Sequence, residues 1–201
     1  MKGNVKMFWN LTKPLGADTP VYPGDPVFQK QEIRTVDQDG YALSVLSMGS
    51  HTGTHIDAPR HFFANGTAVD QIAPERFCGE AVLYRAKGPV DAAFFEERPL
   101  AGRILLDIPA PYGLTEDAAW HLMMSGIELV AVSGLDIENE GQSGAPVHQI
   151  LLRAGILIGE GFALTDVPEG PGKLYCLPLP IEGGDGAPAC ALWERDETEM
   201  A

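Results

Sequence analysis

Seven short apolar or alternating runs account for most of the hydrophobic patterning in this chain: "YALSVLSM" (41–48), "EAVLYRA" (80–86), "RILLDI" (103–108), "ELVAVSGL" (128–135), "GILIGE" (155–160), "LYCLPLPI" (174–181) and "ACALWER" (189–195). Each is too short and too punctuated for a core helix, so each reads as a strand. The 23 glycines and 16 prolines are spread between such runs as punctuation and gather into no linker. Two segments carry helix signals. One runs from about Glu116 to Ser125, with Thr115 as N-cap, acids in the first turn and Gly126 at the C-terminal cap position. The other starts at Pro146, which suits a first helical position, and carries "VHQILLRA" to Gly155. Strands that outnumber helices predict an α/β or α+β fold with a central, mostly β core and few covering helices. No internal repeat divides the 201 residues, and a single domain over 1–201 is expected.

Charge and cysteine content narrow the setting. Asp and Glu outnumber Lys and Arg 28 to 14, a net charge of −14 that repels phosphate backbones and anionic membrane surfaces. Neither nucleic acid nor membrane is an expected partner, and the densest acidic cluster is the tail "ERDETEM". Cys78, Cys176 and Cys190 are odd in number and contain no C-x-x-C pair, which argues against a disulfide framework or a thiolate zinc site and suits a reducing cytoplasm. The start "MKGNVKMFWNLTKPL" lacks a signal-peptide apolar region, and no run reaches the roughly eighteen apolar residues of a membrane span.

Three of the five histidines lie in one stretch, "HTGTHIDAPRH" (51–61). Imidazole and carboxylate are the ligands that zinc, manganese and iron accept where no thiolate is available. His51 and His55 share a face if the segment makes a helical turn, whereas His55 and Asp57 share one if it is extended. A local bend at Gly53 would satisfy both. Pro59 forces Ala58 away from helical dihedrals, so His61 should project from a separate piece of backbone, within reach of the reacting groups as a general base or acid. Downstream, Glu160 ends the apolar stretch "GILIGE", where a buried carboxylate would need a cation or a hydrogen-bond network to offset its desolvation. His148 sits on the opening turn of the second helix. His121, alone on the first helix beside Trp120, reads as structural.

Taken together these residues resemble the cyclase family of metal-dependent hydrolases, which includes bacterial kynurenine formamidases and isatin hydrolases. "HTGTHIDAPRH" fits the family signature H-x-G-T-H-x-D-x-P-x-H. "LTKPLGADTPVYPGD" is similar to the family's N-terminal segment, "APVHQILLRAGILIGEG" to its downstream histidine-to-glutamate unit, and "LTDVPEGPGKLYCLPLPIEGGDGAPACALW" to its closing strands, so nearly the whole chain is covered. The resemblance implies a swivelling β/β/α-type fold, a homo-oligomer and one or two divalent ions, zinc or manganese. It implies that His51, His55 and Asp57 hold a first ion, that Asp57 also faces a second ion held by His148 and Glu160, and that His61 transfers the proton. The chain departs from the formamidases in two places. It has Tyr22 where they tend to carry Trp before Pro-Gly-Asp, and "VAVSGLDIENEGQSGAP" differs from their segment before the second histidine.

The expected activity is hydrolysis of an amide-type carbon–nitrogen bond in a small molecule, N-formylkynurenine or a similar N-acyl arylamine. A lactam or lactone hydrolase of the isatin type, and a metal-binding protein that has lost catalysis, remain open at the level of sequence. The chain contains no G-x-S-x-G, H-E-x-x-H or G-x-G-x-x-G motif to support a serine hydrolase, a zincin or a dinucleotide-binding enzyme. Tyr22 is a candidate substrate-binding residue. Phe8, Trp9 and Phe28 are candidates for the same aromatic wall and equally for ordinary core.

Overall fold

The computed structural model describes residues 5–196. Ten strands form, namely β1 (Lys6–Asn10), β2 (Gln29–Arg34), β3 (Leu43–Ser47), β4 (His55–Asp57), β5 (Cys78–Arg85), β6 (Arg103–Asp107), β7 (Leu129–Val132), β8 (Leu157–Glu160), β9 (Gly170–Pro178) and β10 (Gly186–Asp196). Seven of them close into a mixed barrel in the order β10-β4-β8-β7-β6-β5-β9, with β9 returning to pair with β10 and β1 added on the far edge of β10. The neighbours β5, β6, β7 and β8 run parallel, and the remaining barrel pairs are antiparallel. Three α-helices accompany the strands: α1 (Val36–Asp39), α2 (Glu116–Met124) and α3 (Pro146–Arg153). The expected mostly β core with few helices is therefore present, and its sheet is closed.

Alternation along the parallel strands creates two cores. Leu83, Leu105, Leu129 and Leu157 point inward with Ile56, Phe162 and Trp193 to fill the barrel. Their neighbours Val82, Ile104, Val130 and Ile158 point outward and pack under α2 and α3 against Leu122 and Leu151. Strands covered on both faces read as continuous apolar runs, which is why these four were visible in the sequence. Both long helices begin as predicted, Thr115 capping α2 by accepting from Ala118 N and Pro146 opening α3.

The elements that the sequence reading omitted have physical reasons for being faint. β2 is "QKQEIR", exposed along its whole length, so no apolar alternation marks it. β9 starts four residues before the predicted run because Gly172 is a crossing point, not a break: a Cβ there would lie 2.4 Å from Trp193 Cζ2. β4 has three residues, too few for any period to register.

Candidate metal centre

The motif at 51–61 is folded by its smaller residues. Gly53 takes φ of +71°, the bend anticipated for it, and His51 precedes that bend in a turn while His55 follows it in β4. The helical-turn alternative for His51 and His55 is not the one adopted. Thr54 is buried and donates from Oγ1 to Gly161 O at 2.8 Å while accepting from Lys13 N at 3.0 Å. Ile56 points into the barrel, so His55 and Asp57 emerge together on the opposite face. Register completes the arrangement, since His55 lies directly opposite Glu160 of β8. Ala58 is extended and hands the chain to a short 3-10 turn, Pro59–His61, that carries His61 on backbone separate from the strand.

Five side chains from four segments meet there. His51 Nδ1 is 2.8 Å from Asp57 Oδ1, and His55 Nε2 lies 3.3 Å from the same oxygen and 3.4 Å from Glu160 Oε2. His148, on the first turn of α3, brings Nε2 to 3.3 Å from Glu160 Oε1 and 3.7 Å from Asp57 Oδ2. Three groups have ligand-type spacing: His51, His55 and Asp57; Asp57, His148 and Glu160, which shares Asp57 with the first; and His51, His61 and Asp185 nearer the rim, which shares His51. His55, Asp57, His148 and Glu160 are all buried. His55 Nε2 and Asp57 Oδ2 are buried without a hydrogen-bond partner. An unpartnered nitrogen and an unpartnered carboxylate oxygen within one cluster fit a divalent cation, which would satisfy both.

The two carboxylates dominate the local electrostatics. Burial works against a charged His55, and the adjacent carboxylates Asp57 and Glu160 outweigh it, lifting the imidazole to about 10. His148 behaves alike: burial opposes its charge, and Glu138 and Glu160 raise it to about 11. Burial likewise opposes the charged form of Asp57, yet His51 and His55 hold it well below the usual carboxylate range. His61 differs from the other site histidines. Burial, together with the like charges of His51 and His148, keeps it below the ordinary imidazole value.

A cavity of about 590 Å³ opens onto these groups, and His51, His55, His61, His148 and Glu160 all reach it. Tyr22 lines it, and so does Phe62, whose ring stacks on His148 with centroids 5.0 Å apart. Leu135, Asp136 and Ala145 bring the divergent segment before α3 into the same wall. The other aromatic candidates do not line it. Trp9 borders a smaller cavity beside Val167, while Phe8 is exposed on β1. His121 stacks on Phe95 along α2, in keeping with a structural role.

Comparison with known proteins agrees with this layout. A Cyclase family model matches residues 9–102. The kynurenine formamidase of Salinibacter ruber is 30% identical over 203 residues, covering 91% of this chain and 95% of that protein. The chain belongs to the cyclase family. The kynurenine formamidase of Paracidovorax citrulli is 29% identical, with 93% and 96% covered. A structure described as a predicted metal-dependent hydrolase from Bacillus stearothermophilus superposes with a TM-score of 0.82 at 28% identity, with 94% and 98% covered. Isatin hydrolase A of Labrenzia aggregata shares the fold, with a TM-score of 0.84 at 23% identity over 96% and 94%. With kynurenine formamidase relatives matched over more than nine-tenths of its length, the chain is a hydrolase.

Two acids of this cyclase were not singled out in its sequence. Asp185 Oδ2 is 2.8 Å from His51 Nε2 and 3.6 Å from His61 Nδ1. Glu138 Oε1 accepts from His148 Nδ1 at 3.1 Å and from His148 N at 3.0 Å. No sequence signal marked the first, and the reason for the glycine beside it shows only in the structure. Gly186, the neighbour of Asp185, has no room for a side chain, because a Cβ would lie 2.7 Å from His51 Cε1.

Proposed function

We propose that this cyclase hydrolyses an N-acyl arylamine of the N-formylkynurenine type, with His51, His55 and Asp57 holding one divalent ion and Asp57, His148 and Glu160 holding a second. The observation that carries the reading is the pair of His/carboxylate groups sharing Asp57 at the base of a cavity with Tyr22 and Phe62 in its wall. The names of the kynurenine formamidase relatives support the substrate class. Zinc or manganese in such a site polarises a carbonyl and lowers the pKa of water.

The remaining work falls to the side chains. His61 stands at the cavity with its ring 4.0 Å from that of His51, and its Nδ1 faces Asp185. This leaves Nε2 to take the proton of the attacking water and pass it to the departing nitrogen. An imidazole held below its ordinary value is neutral near pH 7 and therefore able to act first as base. Tyr22 and Phe62 offer aromatic faces to an aryl group, and such faces exclude water from the reacting carbonyl. We place the enzyme in the cytoplasm as a single-domain chain that assembles as a homo-oligomer.

The test is turnover by the metal-loaded protein. Values of kcat/KM of about 10⁴ M⁻¹s⁻¹ or more on N-formylkynurenine are expected. Less than about 10² M⁻¹s⁻¹ there, with ready opening of an isatin-like lactam or a lactone, would reassign the substrate to a cyclic amide or ester. That second reading has one observation in its favour: the segment that departs from the formamidase pattern supplies Leu135, Asp136 and Ala145 to the cavity wall.

A further inference from the structure

The geometry assigns Asp185 and Glu138 to separate ions: we propose that Asp185 positions His51 for the first ion and that Glu138 positions His148 for the second. The inference rests on the two-ion reading above. Every histidine of the cluster has one nitrogen facing the shared carboxylates and the other held from outside. For His55 the outer partner is a carbonyl, Gly53 O, 2.9 Å from Nδ1. For His51 it is Asp185 at 2.8 Å from Nε2, and for His148 it is Glu138 at 3.1 Å from Nδ1. A neutral imidazole that donates its single N–H outward leaves the inner nitrogen bare, so these contacts choose Nδ1 of His51 and Nε2 of His148 as the ligand atoms. A carboxylate partner also makes the imidazole a stronger donor to a cation than a carbonyl does, and here each ion receives one such histidine.

The two carboxylates are built differently. Asp185 sits at the cavity rim with its side chain 44% exposed, immediately before Gly186, where the absence of a side chain lets the His51 ring lie against β10. Glu138 is buried, and its Oε1 serves two purposes. Ala145, the N-cap of α3, makes no side-chain hydrogen bond, and Glu138 supplies the missing acceptor by taking the backbone N–H of His148. One oxygen thus fixes both the start of the helix and the ring that the helix presents. Glu138→Gln keeps an acceptor oxygen for both bonds and removes the charge, whereas Glu138→Ala removes the cap as well.

Zinc titration of the metal-free full chain, followed by calorimetry, separates these roles without reference to turnover. His51→Ala and His148→Ala mark which binding step belongs to which group. Asp185→Asn should weaken the step lost in His51→Ala by about 10- to 100-fold and leave the other unchanged, and Glu138→Gln should do the reverse. Thermal unfolding of the metal-free variants guards against a merely structural effect. Asp185→Asn, at the exposed rim, should melt close to wild type; Glu138→Gln, which removes a buried charge beside His148, should melt lower, and Glu138→Ala, which also removes the cap, lower still. Should Glu138→Gln fail to fold, the Asp185→Asn titration decides by itself. Equal weakening of both steps by either variant, or two unchanged steps in both, overturns the assignment. A wild type that takes up a single ion overturns the two-ion reading, and two ions without turnover of N-formylkynurenine leave the assignment standing while the substrate reading fails.

Discussion

At the scale of single residues, ligands and proton carrier should separate on substitution. Asp57 contacts His51 and His55 and lies between both ligand groups, so Asp57→Ala should empty the site. His61 belongs to neither of the groups that share Asp57; it falls with His51 and Asp185 at the rim, and its nearest carboxylate is Asp185 at 3.6 Å. His61→Ala should therefore retain metal by elemental analysis and lose about 10²- to 10⁴-fold in kcat. Metal loss from His61→Ala would make it a ligand and exclude the proposed role. The imidazoles were readable in sequence because three fall within one stretch of eleven residues, a density that surface chance does not favour. Asp185 and Glu138 were not, because "EGGDG" and "DIENEG" look like ordinary acidic loops, and only the pairing of β10 with β4 and the start of α3 bring them onto histidines.

At the scale of elements, the centre depends on two short strand ends held in register. β4 pairs with β8 over His55–Asp57 only, and the Thr54 hydroxyl extends that clamp by one residue to Gly161 O. Gly161 takes φ of +72° with no room for a Cβ, which would lie 2.4 Å from Gly53 O. Thr54→Val keeps the shape and leaves both Gly161 O and Lys13 N without that partner. Of the two, Gly161 O is the buried one, and a buried group left unpaired costs about 1–3 kcal/mol, so urea unfolding should show a loss in that range, with Thr54→Ser close to wild type. A valine variant as stable as wild type would show that the β4–β8 register needs no side-chain clamp. The same region shows what local pattern conveys: β8 was legible as an apolar run ending in a carboxylate, whereas β4, with one inward side chain between two polar ones, needs the whole barrel to be recognised.

At the scale of the whole molecule, the barrel leaves one element unsupported. β2 and β3 pair only with each other, as a two-stranded sheet outside the barrel. Such a hairpin is marginal in water by itself. Its apolar residues are not covered within the described chain: Ile33 is 45% exposed, Leu43 47%, Val45 50% and Leu46 54%. Exposed apolar residues grouped on one element suit an interaction surface, and Tyr22, Asp25 and Pro26, just before β2, line the cavity beside the centre. The homo-oligomer proposed above accounts for it if a second copy covers the hairpin. Leu43 and Val45 share a face, being two residues apart on β3. The double variant Leu43→Glu with Val45→Glu should therefore elute as a smaller species by light scattering. It should still take up zinc as wild type does, since neither residue belongs to the ligand groups. A wild type that is monomeric at assay concentration, or a double variant of unchanged mass, would leave the hairpin facing solvent and remove self-association as the reason for its apolar face.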